Sequence, residues 1–532
     1  MNHTVLITSG AFVEPELEAE FGPIPPAFLP LGNRRLYQYQ LDLVLNKASR
    51  VLLSLPSTFA PEAFDLTVLK EAGVEIIFVP KDLSLGASIV HVLDAVGIGA
   101  APLTILHGDT LLYGINLFIH DSVSIDRNPP RGYRWGRIKL NRNDLQILLD
   151  DVSDETDGAL SGFFSFGNTP DLINSIVQNR NDFVVALAEY ATKNPLNYQE
   201  ASHWFDFGHA STYHRSRRRV TTERHFNRLT SIKRGLVKSS SDSKKIEAEA
   251  AWFESLPPPL RLYTPAYLGR RNESGTVAYA TEYLHLPTLS DIFVFGKLSR
   301  NSWVNIFLAC DEFLSACAAH RTFDQAHVPD VGALYLEKTI YRLESFITKF
   351  DLTLTSPCRL NGRPLPSLIQ MVESSCAIIK TSGNHISLVH GDFCFSNIFY
   401  DVRTELIRTI DPRGLDARDT ICNIGDVRYD IGKLFHSVYG LFDHIVAGHF
   451  ALGAASPLDL SLELPISPYI VSLQNIFKEQ RFAGQTPAEA AGAAIATLLF
   501  FSMLPLHDDH PNRQLALLAN GMRLFESLDL KK

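Results

Sequence analysis

The sequence predicts an α/β protein built in two parts. A sheet of parallel strands covered by helices comes first, then a smaller sheet followed by a large helical lobe. Three observations predict it. Short β-branched apolar runs alternate with helix-length stretches through the first half. Short strands reappear from about residue 226, and beyond about residue 300 the pattern is mainly helical. At 532 residues the chain is also long for a single core, which favours more than one domain. The expected boundaries are 1–225, 226–300 and 301–532.

In chain order, TVLIT (4–8), RVLLSLP (50–56), VEIIFVP (74–80) and PLTILHG (102–108) read as buried strands. Helix-length stretches at 36–47, 60–72 and 86–97 lie between them. In such sheets a ligand sits beyond the carboxyl ends of the strands, where the acidic turn GDT follows TILH. The basic stretch HRSRRRVTTERHFNRLTSIKRG (214–235) reads as a solvated helix and linker at a domain junction; guiding anionic substrates between sites is the alternative. LTSIKRG, LVKSS and TVAYATEYL supply the strands of the second sheet.

Composition narrows the class. The chain is 45% hydrophobic and 20% charged, with a net charge of −9, so a global attraction to nucleic acid or anionic membrane is not expected. MNHTVLITSG lacks the basic start and long apolar stretch of a secretory signal. The most apolar run, Ala490 to Leu506, is short for a membrane span and reads as a buried helix. The six cysteines form no CxxC pair, which supports neither a zinc site nor a disulfide framework. A cytoplasmic protein with reduced thiols and no stable membrane insertion is expected.

The densest chemistry lies in VHGDFCFSNIFYDVRTELIRTID (389–411). Transfer of a phosphoryl group from ATP needs a carboxylate for the attacking hydroxyl, oxygen ligands for magnesium and a lysine for the phosphates. This segment offers Asp392, then Asn397 five residues on, then Asp411 after the apolar run LIRTI. A strand–loop–strand hairpin would bring all three to one end of a sheet. Loop carboxylates with capping roles are the bland alternative.

HGDxxxxN followed by a strand and ID resembles the aminoglycoside phosphotransferase and choline kinase family. The resemblance implies a protein-kinase-like two-lobed α+β domain over about residues 226–525, using ATP and Mg2+. It makes Asp392 the catalytic base, and Asn397 and Asp411 the metal ligands. It further implies an ion pair between Lys238 on LVKSS and Glu249, taken to begin the helix EAAWFESLP, that orients the phosphates. Lys233, Arg234 and Glu247 are rivals for those roles. TEYLHLPTLSD (281–291) resembles the hinge that pairs with adenine, flanked by Glu282 and Tyr283; an ordinary edge strand is the alternative. GDVRYDIGKLFHS (425–437) resembles the helix start after the metal loop, with Asp430 expected to buttress the catalytic loop. Asp411-Pro412-Arg413-Gly414 departs from the DFG of protein kinases and resembles a subgroup associated with bacterial surface-polysaccharide loci. Arg413 would touch an anionic substrate or form a salt bridge. His436 and His507 read as core histidines.

The first half resembles the nucleotide-diphospho-sugar pyrophosphorylase family, through IPPAFLPLGNRRLYQYQLDLV, LSLGASIVHVL, ILHGDTLL, ALSGFFSF and WFDFGHASTYHRS. The resemblance implies a Rossmann-like nucleotidyltransferase sheet. It makes Asp109 and Asp206 ligands of one magnesium, used as a Lewis acid, places Gly10 in the phosphate loop, and sets Gly86 against a base. The departures are large. TSGAFVEPELEAEFGPIPPAFLP carries four glutamates (14, 16, 18 and 20), and Ala27 stands where lysine is expected. An acidic loop repels a triphosphate, so either Arg34, Arg35 or Lys81 substitutes or nucleotidyl transfer is lost.

The leading expectation joins the halves. A kinase phosphorylates a small sugar or amino alcohol, and the other half activates the product with a second NTP for surface-polysaccharide synthesis. The alternative keeps the kinase and makes the first half a non-catalytic nucleotide-sugar-binding domain. A glycosyltransferase reading is disfavoured because TILHGDTLL shows no evident DxD. The phosphate acceptor, the preferred NTP and the oligomeric state are not legible.

Overall fold

The computed structural model describes residues 3–45, 47–97, 99–129, 133, 135–141, 144–148, 158–222, 228–232, 235–273, 275–320, 332–382 and 385–528. The chain divides into two compact units, Met1–Thr221 with Phe295–Lys297, and Thr222–Val294 with Leu298–Lys532.

The first unit is a mixed sheet with a parallel half. Strands β1 (Thr4–Thr8), β2 (Arg50–Pro56), β3 (Val74–Val79) and β4 (Leu103–His107) run parallel in the order β3-β2-β1-β4. TVLIT and LTILH are apolar on both faces because both faces are covered, which is why they read as continuous rather than alternating runs. The helices Leu36–Val44, Ala63–Glu71 and Leu85–Val96 connect these strands. The last is closed at both ends: the Ser84 hydroxyl accepts from the Ala87 N–H at 3.3 Å, and Gly97 takes a left-handed φ of 65°.

After β5 (Thr110–Tyr113) the sheet turns antiparallel. It continues through β6 (Ser122–Asp126), β7 (Arg137–Asn141), β8 (Asp144–Leu148) and β9 (Gly158–Phe166), with β9 between β4 and β6, while β10 (Asn197–Glu200) runs parallel to β6. β11 (His203–Asp206) pairs antiparallel with β5. Leu6, Ile105, Phe164, Phe166, Leu172 and Tyr190 form part of its core. The first part of the basic stretch is the helix Ala210–Thr222, which buries Tyr213, His214 and Val220; residues 223–227 and 233–234 lie outside the described residues.

The second unit opens with β12 (Arg228–Ile232), β13 (Gly235–Ser239), β14 (Tyr267–Glu273) and β15 (Thr276–Thr281), antiparallel in the order β12-β13-β15-β14. The helix Ser243–Ser255 follows β13, with Asp242 accepting from the Lys245 N–H at 3.1 Å. Glu249 therefore sits in mid-helix, not at its start. The sequence reading missed that Asp242 caps the helix seven residues upstream of the apolar EAAWF run.

The remainder is mainly helical, with Arg300–Ala319, Lys338–Ile347, Leu368–Thr381, Val427–Val438, Pro468–Glu479, Gly492–Ser502 and Pro511–Glu526 as its longer members. Its core includes Phe346, Met371, Ile495, Phe500, Phe501 and Met522. The apolar run near residue 500 is the helix Gly492–Ser502, buried on nearly every side. Among the described residues no helix is long and apolar enough to cross a membrane. All six cysteines are free thiols.

Candidate functional site

In the second unit the strand Ile386–Leu388 delivers His390-Gly391-Asp392 to a tight loop. The loop is set by Asp430 on the helix Val427–Val438. Its two carboxylate oxygens accept from the His390 N–H at 2.8 Å and the Gly391 N–H at 2.9 Å. Burial nonetheless lifts the Asp430 carboxyl to about 7, against the pull of those two donors. One turn further, Lys433 Nζ lies 2.7 Å from Asp392 Oδ1. The Asn397 amide Nδ2 donates to both the backbone oxygen and Oδ2 of Asp392 at 3.0 Å. Burial opposes ionisation of Asp392, but Lys433, with His390 and Asn397, holds it down to about 2.

Asn397 leads into the hairpin Ile398–Asp401/Leu406–Thr409, whose register pairs Ile398 with Thr409. The Ile410 N–H then donates to the Asn397 carbonyl at 3.0 Å, which brings Asp411 back beside Asn397. Asp411 has a φ of 57°, unusual for a residue with a side chain. Asp411 Oδ1 meets Lys238 Nζ at 2.9 Å, and Lys238 Nζ meets Glu249 Oε2 at 2.7 Å. The β13–β15 register sets Lys238 opposite Tyr279, and the Tyr279 hydroxyl donates to Glu249 Oε2 at 2.7 Å. Burial works against the Lys238 charge, but Asp411 and Glu249 outweigh it and raise its pKa. The trio holds two carboxylates and one ammonium, so negative charge is left over for a further cation to offset.

The structure thus brings together Asp392, Asn397, Asp411, Lys238 and Glu249. Glu247 is not the partner of Lys238. Lys233 and Arg234 lie outside the described residues. Glu282 and Tyr283 follow β15. The Glu282 N–H donates to the Ala266 carbonyl at 2.9 Å, its carboxylate accepts from the Ala266 N–H at 3.2 Å, and Tyr283 packs edge-on to His285. The segment is tied to the hairpin that carries Asn397 and Asp411, since the Tyr400 N–H donates to the Pro287 carbonyl at 3.1 Å. Arg413 makes no ion pair among the described residues; its guanidinium lies 5.8 Å from the Tyr429 ring centroid. His436 is buried between Phe442 and Phe500. His507 is only half-buried, at the end of a short turn.

In the first unit the β5–β11 register sets Asp206 opposite Thr110, next to Asp109. Burial and then the Asp109 carboxylate push the Asp206 carboxyl up to about 7, and Asp206 Oδ2 is a buried oxygen with no hydrogen bond. Two converging carboxylates with an unsatisfied buried oxygen fit a divalent cation. They line a cleft with Trp135, Gly162, Phe183 and Trp204. No cluster of three or more His, Cys, Asp or Glu suited to a metal occurs among the described residues, so the rest of the shell would come from ligand or water. The loop carrying Asp109 is fixed by Gln40, whose amide donates to the carbonyls of His107 at 2.9 Å and Thr110 at 2.8 Å.

The phosphate end of this unit is different. PELEAEF forms the short helix Pro15–Phe21. Glu14 pairs with His209 at 2.6 Å, and Glu20 pairs with His214 at 2.8 Å. Ala27 is fully buried, with its N–H donating to Ser9 Oγ at 3.0 Å. Arg34 pairs with Asp42 at 2.9 Å, and Arg35 is buried against Asp65 at 3.0 Å. Both arginines are already neutralised; Lys81 stands exposed in the turn after β3. Gly10 packs under the helix Leu85–Val96, where a Cβ would come 2.9 Å from Ser88 Oγ. Gly86 packs on the 179–182 turn, where a Cβ would come 2.5 Å from the Asn181 carbonyl oxygen.

Sequence reasoning missed three residues of these sites: Lys433, Tyr279 and Gln40. Lys433 stands three residues after Asp430 on one helix face, but its contact with Asp392 depends on how that helix docks on the loop.

No family model matches the chain, and no curated protein sequence matches it either. Solved structures do. A UDP-glucose pyrophosphorylase complexed with UDP-glucose is 15% identical, covering 42% of this chain and 100% of its own, with a TM-score of 0.34. The inositol-1-phosphate CTP transferase of T. maritima is 16% identical, covering 41% of this chain and 96% of its own, with a TM-score of 0.31. A structure assigned as an aminoglycoside phosphotransferase from Ralstonia eutropha is 12% identical, covering 55% of this chain and 86% of its own, with a TM-score of 0.30.

Proposed function

We propose that the second unit is an ATP-dependent phosphotransferase acting on a hydroxyl group of a small molecule. The observation that carries this reading is the Asp392 carboxylate, held ionised between Lys433 and Asn397 beside the Asp411–Lys238–Glu249 chain. Asp392 accepts the proton as the acceptor oxygen bonds to the γ-phosphorus and the bond to the bridging oxygen of ADP breaks. Lys238, fixed by Glu249, faces the α/β-phosphates. Asn397 and Asp411 would hold Mg2+, which supplies charge neutralisation on the phosphates. The segment at Glu282 and Tyr283 would border the adenine.

For the first unit, the paired arginines and the acidic segment favour a nucleotide-sugar-binding domain that no longer transfers nucleotides. A second reading has its own support. The Asp109–Asp206 pair suits one Mg2+, and with it a two-step enzyme that would phosphorylate a sugar and then activate the product for surface-polysaccharide synthesis.

A screen of NTPs and acceptors with separate ADP and pyrophosphate detection tests both. ADP release that requires an acceptor, without pyrophosphate, is the expected result. Pyrophosphate release that is lost in Asp109→Ala and Asp206→Ala would establish the second reading. Absence of acceptor-dependent ADP release would remove the phosphotransferase.

A further inference from the structure

The wall beside Asp392 is basic, and its cations are short of partners. Arg413 reaches it because Gly391, at a φ of 77°, has no side chain; a Cβ there would come 2.7 Å from Arg413 Cβ. The Arg413 N–H also donates to the His390 carbonyl at 2.9 Å, which ties this arginine to the catalytic loop. Arg413 and Lys433 share one aromatic ring: Arg413 Cζ lies 5.8 Å and Lys433 Nζ 6.0 Å from the Tyr429 centroid. Lys338 begins the helix Lys338–Ile347, and Arg342 follows one turn later, with Nη1 donating to the Ser502 carbonyl at 2.9 Å. Among the described residues no carboxylate lies in ion-pair range of Lys338, Arg342 or Arg413. Burial, then Arg413 and Arg342, push the Lys338 ammonium down to about 7, with Asp419 pulling the other way and Lys433 adding to the repulsion. A cleft lined by Arg413, Gly391, Tyr429 and Asp416 opens at this wall.

Unpaired cations clustered in a partly desolvated wall repel one another, and an oxyanion between them relieves that cost. We propose that the phosphate acceptor is an anionic hydroxy compound. Its carboxylate or phosphate is bound by Arg413, Lys338 and Arg342 while its hydroxyl faces Asp392. The inference rests on the phosphotransferase reading and narrows it, because a cationic amino alcohol would meet the same wall unfavourably. The reaction remains a single transfer. The acceptor hydroxyl gains the γ-phosphoryl group, ADP leaves, and the proton goes to Asp392.

The test measures ADP release by the full chain with matched acceptors: glucose against glucuronate and glucose 6-phosphate, glycerol against glycerate and glycerol 3-phosphate, and choline. An anionic member should exceed its neutral counterpart in kcat/KM by about 10–100-fold, the worth of one charged hydrogen bond. Arg413→Gln and Lys338→Gln should each raise the KM of that acceptor by a similar factor with little change in the KM of ATP, and Arg413→Lys should recover part of the loss. The carboxylate and phosphate arms distinguish the two kinds of anion. Asp392-dependent turnover of neutral acceptors or choline without anionic preference overturns the inference and leaves the phosphotransferase standing. So do variants that shift only the KM of ATP. No Asp392-dependent transfer to any acceptor overturns both.

Discussion

Asp392 touches a lysine ammonium, an amide N–H and its own loop's histidine, and the balance of these contacts decides its chemistry. With its carboxyl held near 2, the ionised form that accepts a proton is present at every pH above that value. It is lost only as pH falls through it, and Mg2+ nearby would act in the same direction. Phosphorylation should therefore show no acid limb from this residue between about pH 5 and 8. Lys433→Met removes the strongest stabilising contact, so the carboxyl should rise and the acid limb of the kcat/KM profile, followed down to about pH 3, should move to higher pH. An unchanged profile would mean that Lys433 does not set the ionisation of Asp392. Asp392, Asn397 and Asp411 were legible because five-residue and hairpin spacings are local. The contact of Lys433 with Asp392 was not, since it depends on how a helix forty residues downstream docks on the loop.

That helix, Val427–Val438, carries both Asp430 and Lys433, so its seat on the core sets the His390–Asp392 loop. It packs against Gly492–Ser502 at Gly432, where a Cβ would come 2.3 Å from Ile495 Cγ2. Gly432→Val should cost about 1–3 kcal/mol by overpacking. The loss should be read as a fall in the denaturation midpoint, with Ile495→Ala recovering part of it in the double variant. Additive losses would place the clash elsewhere. Strands were predictable at this scale because apolar β-branched runs mark them within a residue or two. The helix around Glu249 was foreshortened because its polar first turns, SKKIEAE, show no apolar stripe, while the Asp242 cap that starts it is a local signal easily taken for a turn.

Across the whole molecule, global quantities hide local ones. A net charge of −9 gives no sign that Lys433 pairs with Asp392 or that Arg413 and Arg342 both act on Lys338. Nor does composition reveal that Arg34 and Arg35 are already bound to Asp42 and Asp65. A cation's availability is a property of the fold, not of its presence in a motif. The parallel half of the first sheet and the helical character of the second unit were legible because periodicity survives without contacts. A comparison of wild type with Asp392→Asn shows whether Asp392 is the base of an ATP-dependent transfer. Acceptor phosphorylation and Mg·ATP affinity are measured on the same two proteins. Transfer should fall by about 10²–10⁴-fold while Mg·ATP affinity changes little; transfer retained at the wild-type rate would mean that Asp392 is not the base.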